Sequence, residues 1–244
     1  MQHARTASNV AMLGLPELVP AQNMRPAQDN RPVERTNPFL PGPEARVGRV
    51  RASVLSFTNM HHHGDLLVSF LRARKRTFID RLHWNLPHTE GMEFDQYDTP
   101  LSRWIVIHEF GEVLGGIRMT PTTARCGIYT YMLRDAQRGL LEEIPTDVLF
   151  FEAPVSDTIW EASRLFISEE VPAHRRLHIQ SVLMENLTRQ AQKLGASHVI
   201  GIVPAVWSRW LRRLDLDAVP VGPRFAIDGT VSQAALFNTA RLPN

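Results

Sequence analysis

The chain has 244 residues, 43% of them hydrophobic, and a formal net charge of +2. This length allows one large or two small domains with a sizeable core. A single cysteine, Cys126, excludes an internal disulfide, and no apolar run approaches the length of a membrane-spanning helix. The N-terminus lacks the apolar stretch of a secretory signal, so we expect a globular protein of the cytoplasm.

The first part of the chain is rich in proline and shows no sustained hydrophobic periodicity, which predicts a flexible extension over residues 1–54. From Asp65 onward the pattern becomes helical, because apolar residues such as Leu66 and Phe70 recur at spacings of three and four. Two helical segments fit before Trp84. Residues 55–244 are predicted to form a single domain.

The rest of the chain alternates strand and helix signals. Residues 104–119 contain two β-rich runs around Gly111, which predicts a hairpin. The elements predicted after it are a strand at 158–167, a helix at 179–194 that ends at Gly195, a strand at 197–203, a short amphipathic helix at 207–214 and a hairpin turned at 228–229. This order predicts one α/β domain with a mixed sheet.

Two charged blocks interrupt this apolar pattern. In the first, Asp95 and Asp98 would point to opposite faces of an extended strand, so they converge on one site only if the segment turns. The block is either a solvated acidic loop or a site that holds cations, whether protein arginines or a positively charged ligand. No second histidine or carboxylate stands at ligand spacing, so we predict no metal site.

Aromatic and basic residues precede these carboxylates. Phe78 and Trp84 are either ordinary core aromatics or ring faces that hold a cation such as a sulfonium. Arg74 and Arg81 either pair with the acids or a ligand carboxylate, or lie on a solvated helix face.

The second block, Trp-Glu-Ala-Ser-Arg at 160–164, lies inside a run of buried-strand character. Glu161 and Arg164 would point to opposite faces of this strand unless a bulge intervenes. A buried glutamate of raised basicity takes a proton from an amine nucleophile, directly or through a water. The alternative is a structural ion pair between Glu161 and either Arg118 or Arg164.

Read in order, four motifs resemble the acyl-homoserine-lactone synthases, the autoinducer synthases of bacterial quorum sensing. They are Arg-x3-Phe-x2-Arg-Leu-x-Trp at 74–84, Gly-Met-Glu-Phe-Asp-Gln-Tyr-Asp at 91–98, Gly-Gly-Ile-Arg-Met-Thr-Pro-Thr-Thr at 115–123 and Trp-Glu-x-Ser-Arg at 160–164. The match runs from about Leu66 to Leu216, or roughly 60% of the 244 residues. One such motif is a weak signal, whereas four in order are specific.

The resemblance implies a GNAT-type acyltransferase fold, with a V-shaped opening between the central parallel strands for the acyl pantetheine arm. It also implies S-adenosylmethionine as co-substrate, no prosthetic group, and an acyl thioester donor on acyl carrier protein or coenzyme A. The positions that match the family's charged and aromatic residues are Arg74, Phe78, Trp84, Asp95, Asp98, Arg118, Glu161 and Arg164.

The resemblance also implies roles for these residues. Phe78 and Trp84 would embrace the cationic S-adenosylmethionine, and Arg74 would bind its carboxylate. An ion-pair network would shape the pocket, formed by Asp95, Asp98, Arg118 and Arg164. Glu161 would accept a proton, through a water, as the substrate amine attacks the thioester. The substrate carboxylate would then attack its own γ-carbon and expel methylthioadenosine.

Some features depart from the family pattern. The loop at 124–131 is longer than usual, and Gln137 stands where an aromatic is common. Gly201 occupies a position where members that make 3-oxo products often carry threonine, which favours an acyl chain without that group.

Two other functions compete with the synthase. The first is an N-acetyltransferase of the same fold, but residues 172–180 lack the glycine-rich turn that would hold a coenzyme A pyrophosphate. The second is a non-catalytic relative, and the presence of Glu161 with the full arginine and aspartate set argues against it.

Several arginines are candidates for docking an acidic carrier protein: Arg175, Arg176, Arg209, Arg212 and Arg213. A solvated basic face is the alternative for each of them.

Overall fold

A mixed sheet organises the part of the chain that the computed structural model describes, residues 50–205, 218–227 and 229–239. The strands are β1 (Arg51–Leu55), β2 (His88–Thr89), β3 (Met92–Glu93), β4 (Arg103–Glu109), β5 (Glu112–Pro121), β6 (Ile159–Ile167), β7 (His198–Pro204), β8 (Ala218–Ile227) and β9 (Thr230–Asn238). Seven of them form one sheet in the order β1-β4-β5-β6-β7-β9-β8, and β2 pairs with β3 in a separate ribbon. Only the β6–β7 pair is parallel among these described strands, which confirms the predicted mixed sheet.

The described residues contain three α-helices that accompany the sheet: α1 (Leu66–Lys75), α2 (Met132–Gln137) and α3 (Ala173–Lys193). A short 3₁₀ helix at Met60–His63 precedes α1, and a π-helical segment at Arg76–Arg81 follows it directly. The two helical segments predicted before Trp84 are therefore present. None of the described helices is long and apolar enough to cross a membrane.

Successive side chains along each strand point to opposite faces of the sheet, so the hydrophobic core forms two clusters, one on each face. On β4, Trp104 and Val106 join the apolar cluster on the α1 side, whereas Ile105 and Ile107 join the cluster on the α3 side. On α3, residues such as Leu183 and Leu187 recur every four positions and bury one stripe of the helix. The sheet is thus covered on both faces, as the alternating pattern of strands and helices predicts.

The predicted element boundaries need two corrections. Residues 51–54, placed in the flexible extension, belong to β1, which pairs in register with β4 from Arg51–His108 to Leu55–Trp104. The helix predicted to begin at residue 179 begins at Ala173, directly after Pro172, a residue whose fixed φ suits the start of a helix. The helix predicted at 207–214 and the rest of the extension lie outside the described residues. The hairpins around 110–111 and 228–229 are confirmed.

The two parallel strands separate partway along their length. Their pairing runs from Ile159–His198 to Glu161–Ile200 and then stops, although β6 continues to Ile167 and β7 to Pro204. Beyond Glu161 the strands diverge and leave a V-shaped opening in the sheet. The predicted cleft therefore lies directly after the predicted catalytic glutamate.

Candidate active site

The acidic block at 93–98 forms a tight turn. The backbone N–H of Asp98 donates to the carbonyl oxygen of Asp95 at 3.0 Å, and the N–H of Asp95 donates to Oδ2 of Asp98 at 3.0 Å. The turn brings together two carboxylates that an extended strand would have placed on opposite faces. The turn that the sequence requires for Asp95 and Asp98 to converge is therefore present.

Three arginines converge on these acids and on Glu93. Arg118 contacts both Asp95 and Asp98 through Nη1. Arg164 lies 3.1 Å from Glu93 through Nε and 2.8 Å from Asp95 through Nη2. Together with Arg74, these side chains form a buried cluster of three carboxylates and three guanidinium groups, so the formal charges cancel. The acidic block is therefore a cation-holding site for protein arginines, and the alternative of a solvated loop is wrong.

Arg74, near the end of α1, is fully buried in this cluster. Its Nε donates to Glu93, and its Nη1 and Nη2 donate to Oδ1 and Oδ2 of Asp98 at 2.7 and 3.0 Å. All three guanidinium nitrogens thus face protein carboxylates. This geometry argues against the predicted contact between Arg74 and a substrate carboxylate and places Arg74 in the network that supports the site.

The arginines keep the acids ionised. Burial alone would raise the pKa of Glu93, but Arg164 and Arg74 lower it below its ordinary value. Burial opposes ionisation of Asp98 as well, and Arg74 and Arg118 hold its pKa far below the usual range. Removing one partner of such a network leaves an uncompensated buried charge, which costs about 3–5 kcal/mol.

A bulge in β6 turns Arg164 toward this cluster. Arg164 has a φ of 56°, and the pairing with β5 shifts register between Gly116 and Arg118. Left-handed backbone is rare for a residue with a side chain, and it reverses the alternation of the strand. As a result Ser163 and Arg164 both contact groups on the α1 side, through hydrogen bonds to Arg118 and Glu93. The bulge that would bring Glu161 and Arg164 to one face of the strand is therefore present.

Glu161 lies on the same face, just before the strands diverge. It is fully buried, and it accepts hydrogen bonds from the first two backbone N–H groups of α2: Met132 N–H to Oε2 at 3.0 Å and Leu133 N–H to Oε1 at 2.8 Å. No described arginine, lysine or histidine nitrogen lies within ion-pair distance of it, so the structural alternative of an ion pair with Arg118 or Arg164 is wrong.

The surroundings of Glu161 make it a stronger base than an exposed glutamate. Burial raises its pKa to about 7, although the hydrogen bonds from Leu133 and Met132 and the charge of Arg118 act in the opposite direction. Near neutral pH such a carboxylate exists in both protonation states, which suits a group that accepts a proton during turnover.

The first cavity opens where β6 and β7 diverge. It has a volume of about 590 Å³ including its solvent-open mouth, and its walls are mostly aliphatic and aromatic, with Ile117, Met184, Leu187 and Phe237 among them. Gly201 on β7 also lines it, and a Cβ at this position would lie 2.6 Å from the carbonyl oxygen of Ala162. An apolar cleft of this form accommodates an acyl chain.

A second, more polar cavity of about 740 Å³ lies beside the first, again including open solvent. Its lining includes Asp95, Gln96, Tyr97 and Glu143. Met132 and Arg164 line both cavities, so the two meet at these residues. Because Met132 also donates its N–H to Glu161, the catalytic candidate is anchored to the wall that the cavities share.

Phe78 and Trp84 stack on each other and line the first cavity. Their ring centroids are 4.8 Å apart with an interplanar angle of 17°, and both side chains are buried. This contact leaves no room for a ligand between the two rings. The guanidinium carbon of Arg164 lies 5.9 Å from the Phe78 ring centroid, so one face of that ring already receives a protein cation.

The model of the autoinducer synthase family matches residues 58–241. The chain belongs to this family. The curated acyl-homoserine-lactone synthase of Aeromonas salmonicida is 30% identical over 172 residues, which cover 69% of this chain and 77% of that protein. The solved structure of TofI in a ternary complex with an inhibitor and MTA is 26% identical with a TM-score of 0.62, covering 79% of this chain and 94% of that chain. The structure of BjaI, a CoA-dependent acyl-homoserine lactone synthase with SAM and isopentyl-CoA, has a TM-score of 0.63 at 23% identity, covering 79% and 84%.

Family membership makes the protein an acyl-homoserine-lactone synthase and therefore an acyltransferase. It decides against the N-acetyltransferase and the non-catalytic relative that the sequence left as competitors. The likeness to solved synthases also confirms the GNAT-type mixed sheet.

Residues outside the predicted set complete the synthase's ion-pair network. Glu93 bridges Arg74 and Arg164, and it stands in the same acidic block as Asp95. Trp104 donates its indole N–H to Oδ1 of Asp98 at 2.9 Å. The sequence indicates only that a buried indole needs a hydrogen-bond acceptor, and it does not indicate which residue supplies it. No group of three or more potential metal ligands occurs among the described residues.

The departures from the family pattern fall near the two cavities. In the long loop, Cys126 and Tyr129 pair as an isolated bridge, and the Tyr129 ring packs edge-on against Tyr97 with centroids 6.2 Å apart. Gln137 donates to the carbonyl of Phe151 and accepts from the N–H of Ala153. Gln137 thus ties α2 to the loop before β6 by hydrogen bonds.

The predicted docking arginines are only partly described. Arg175 pairs with Glu109 through Nη1 and Nη2, each 3.0 Å from Oε2, and Arg176 donates to the carbonyls of Val171 and Glu169. Arg209, Arg212 and Arg213 lie outside the described residues. A docking role for these arginines remains a prediction.

Proposed function

We propose that this synthase joins the amine of S-adenosylmethionine to an acyl group from acyl carrier protein or coenzyme A, closes the homoserine lactone and releases methylthioadenosine. One observation carries the assignment of the site. A fully buried glutamate, Glu161, has its pKa raised to about 7 and is anchored to the wall shared by an apolar and a polar cavity.

The apolar cavity suits the acyl chain. Its mouth lies where β6 and β7 diverge, and backbone N–H groups of β6 beyond Glu161 are not engaged by β7 there. Such groups are suitable donors to the thioester carbonyl as it gains negative charge. An acyl chain without a 3-oxo group remains our prediction, since Gly201 offers no hydroxyl.

The polar cavity suits S-adenosylmethionine. Glu143 contributes negative charge to its lining, whereas the charge of Asp95 is already paired with Arg118 and Arg164. A carboxylate in the lining favours a ligand with a sulfonium and an ammonium group. Arg164 is the basic side chain among its lining residues. Phe78 and Trp84 line the apolar cavity instead, and Phe78 lies beside Arg164, which lines both cavities. The stacked pair would therefore contact S-adenosylmethionine as one wall where the two cavities meet, because the rings leave no space between them.

The proposed reaction takes place where the two cavities meet. Glu161 accepts a proton, through a water, from the substrate ammonium, and the amine attacks the thioester carbonyl carbon to form an amide and release the thiol. The substrate carboxylate next attacks its γ-carbon and breaks the bond to sulfur. This step depends on positioning more than on a strong base, because a sulfonium is a good leaving group.

The test is an assay of the purified full-length protein with S-adenosylmethionine and a panel of acyl carrier protein and coenzyme A thioesters, in which methylthioadenosine release and lactone mass are measured. At least one thioester should give both products in equal amounts. If no thioester in the panel yields methylthioadenosine, the proposed substrates are wrong. We place the reaction in the cytoplasm, where both substrates are made.

A further inference from the structure

Two buried polar atoms on β5 near Glu161 have no hydrogen-bond partner among the described residues: the hydroxyl of Thr120 and Nη2 of Arg118. Both side chains have no exposed surface. An unpaired buried hydroxyl or guanidinium N–H loses its hydrogen bond to water without a replacement, so a native protein rarely keeps one without a reason. Arg118 and Thr120 are two positions apart on β5, so their side chains lie on the same face of the sheet. We therefore look for one explanation for both unpaired atoms.

The sheet register places both atoms around the catalytic candidate. Thr120 on β5 is paired with Glu161 on β6, and Arg118 is paired with Ser163. Paired residues project to the same face with Cβ atoms about 4.5–5.5 Å apart. The side chains of Thr120 and Glu161 are therefore neighbours on one face, and no hydrogen bond joins the hydroxyl to the carboxylate. Each carboxylate oxygen of Glu161 accepts one backbone N–H and keeps a second acceptor position.

Other polar side chains also lie around Glu161. The ring centroid of Tyr97 lies 5.6 Å from the guanidinium carbon of Arg118. Burial raises the pKa of Tyr97, and the negative charges of Asp135 and Glu161 raise it further. Ordered buried waters occur where two to four polar groups converge in this way. The donors and acceptors around Glu161 meet that condition.

We propose that Thr120 is a positioning residue, which together with Arg118 holds the water that relays a proton to Glu161. The inference rests on the proposed function of Glu161. The water takes one proton from the substrate ammonium and gives one to the Glu161 carboxylate, so it is regenerated and needs no further reactant. The threonine hydroxyl orients the water by accepting from it or donating to it.

The test replaces Thr120 by valine, which has the same shape and no hydroxyl. We expect kcat for methylthioadenosine release to fall by about tenfold or more, because orientation of the relay is lost, with little change in KM for S-adenosylmethionine. Thermal stability should stay the same or rise, since the substitution removes an unpaired buried hydroxyl. A residue that only supports the fold would show the opposite pattern, with stability lost and kcat kept.

Two further variants sharpen the result. Thr120→Ser keeps the hydroxyl and should recover most of kcat. Thr188→Val is the matched control, since Thr188 is also buried but its hydroxyl donates to the Met184 carbonyl on α3. We expect this control to lose stability and keep kcat. Thr120→Ala, which cannot overfill the space, replaces the valine variant if that protein does not fold.

The pH profile supplies an independent measurement. The charged and titratable groups around Glu161 are Arg118, Tyr97, Tyr131 and Asp135, and Thr120→Val changes none of them. Loss of a hydroxyl that favours the carboxylate form should move the acid limb of kcat/KM to higher pH. Unchanged kcat and an unchanged acid limb in Thr120→Val would overturn the proposal. A wild-type protein that releases no methylthioadenosine would instead overturn the proposed function.

Discussion

Glu161 combines full burial with two backbone hydrogen bonds and no ion-pair partner among the described residues. Substituting glutamine keeps the size of the side chain and removes the base. We expect turnover in Glu161→Gln to fall by roughly 10²-fold or more. Methylthioadenosine release under saturating substrate measures this directly. Glu185→Gln, at an exposed glutamate of α3 paired with Arg189, is the matched control and should keep turnover. Wild-type turnover in Glu161→Gln would remove this residue from its role.

The raised pKa of Glu161 sets the sign of the pH dependence. The pKa is raised to about 7 by burial, so the carboxylate becomes protonated as the pH falls below that value and can no longer accept a proton. We expect kcat/KM to decline on the acid side with an apparent pKa near 7. The same group should favour folding at low pH, because the folded state binds its proton more tightly than the unfolded chain, and this contribution is lost as the pH rises through about 7.

The contact between α1 and β5 determines whether Arg74 reaches the acidic turn. Gly116 lies under α1, and a Cβ there would be 2.6 Å from Cε2 of Phe70 and 2.5 Å from the carbonyl oxygen of Ile105. We expect Gly116→Ala to lower the free energy of unfolding by about 1–3 kcal/mol, measured by denaturant titration. Turnover should fall too, since a displaced α1 carries Arg74 away from Asp98.

Phe70→Leu offers a check on this mechanism. If the ring of Phe70 causes the clash, the double variant Gly116→Ala/Phe70→Leu should lose less stability than the sum of the two single variants. Simple additivity would show that the two positions do not interact. A Gly116→Ala protein as stable as the wild type would contradict the packing itself.

At the scale of the whole molecule, β1 is an edge strand of the described sheet. Its backbone pairs with β4 along the full length of the strand, and Leu55 is completely buried. We expect a protein that starts at Val50 to keep the thermal stability and turnover of the full chain. A protein that starts at Phe57 lacks β1, exposes the edge of β4 and should lose several degrees of thermal stability. Equal thermal stability of the two truncated proteins would contradict the contribution of β1 to the fold. Loss of turnover in the protein that starts at Val50 would assign a role to residues 1–49.

Part of the site could be predicted from local sequence alone. The spacing of Arg74, Phe78 and Trp84, the acidic turn and the Glu161 block identified the family, and strand periodicity identified β4, β5 and β6, because these signals depend on neighbouring residues. The partners of the charged residues could not be predicted in the same way. The residues alone allow Arg74 to pair with the acids or with a ligand carboxylate, and the resemblance favours the ligand. Its three guanidinium nitrogens instead face Glu93 and Asp98, which lie 19 and 24 positions further along the chain.

The sequence by itself determined the family, the mixed α/β sheet and most of the residues that meet at the site, because motif spacing and hydrophobic periodicity are local properties. Only the tertiary structure decided that Arg164 turns toward the acids, that Phe78 and Trp84 stack on each other, and that Thr120 lies opposite Glu161. The first depends on a single left-handed residue in β6 and the third on the register between β5 and β6, whereas the stack depends on the path of the chain after the π-helical segment. A shift of one position in register moves every side chain to the other face of a sheet, and no local pattern specifies it.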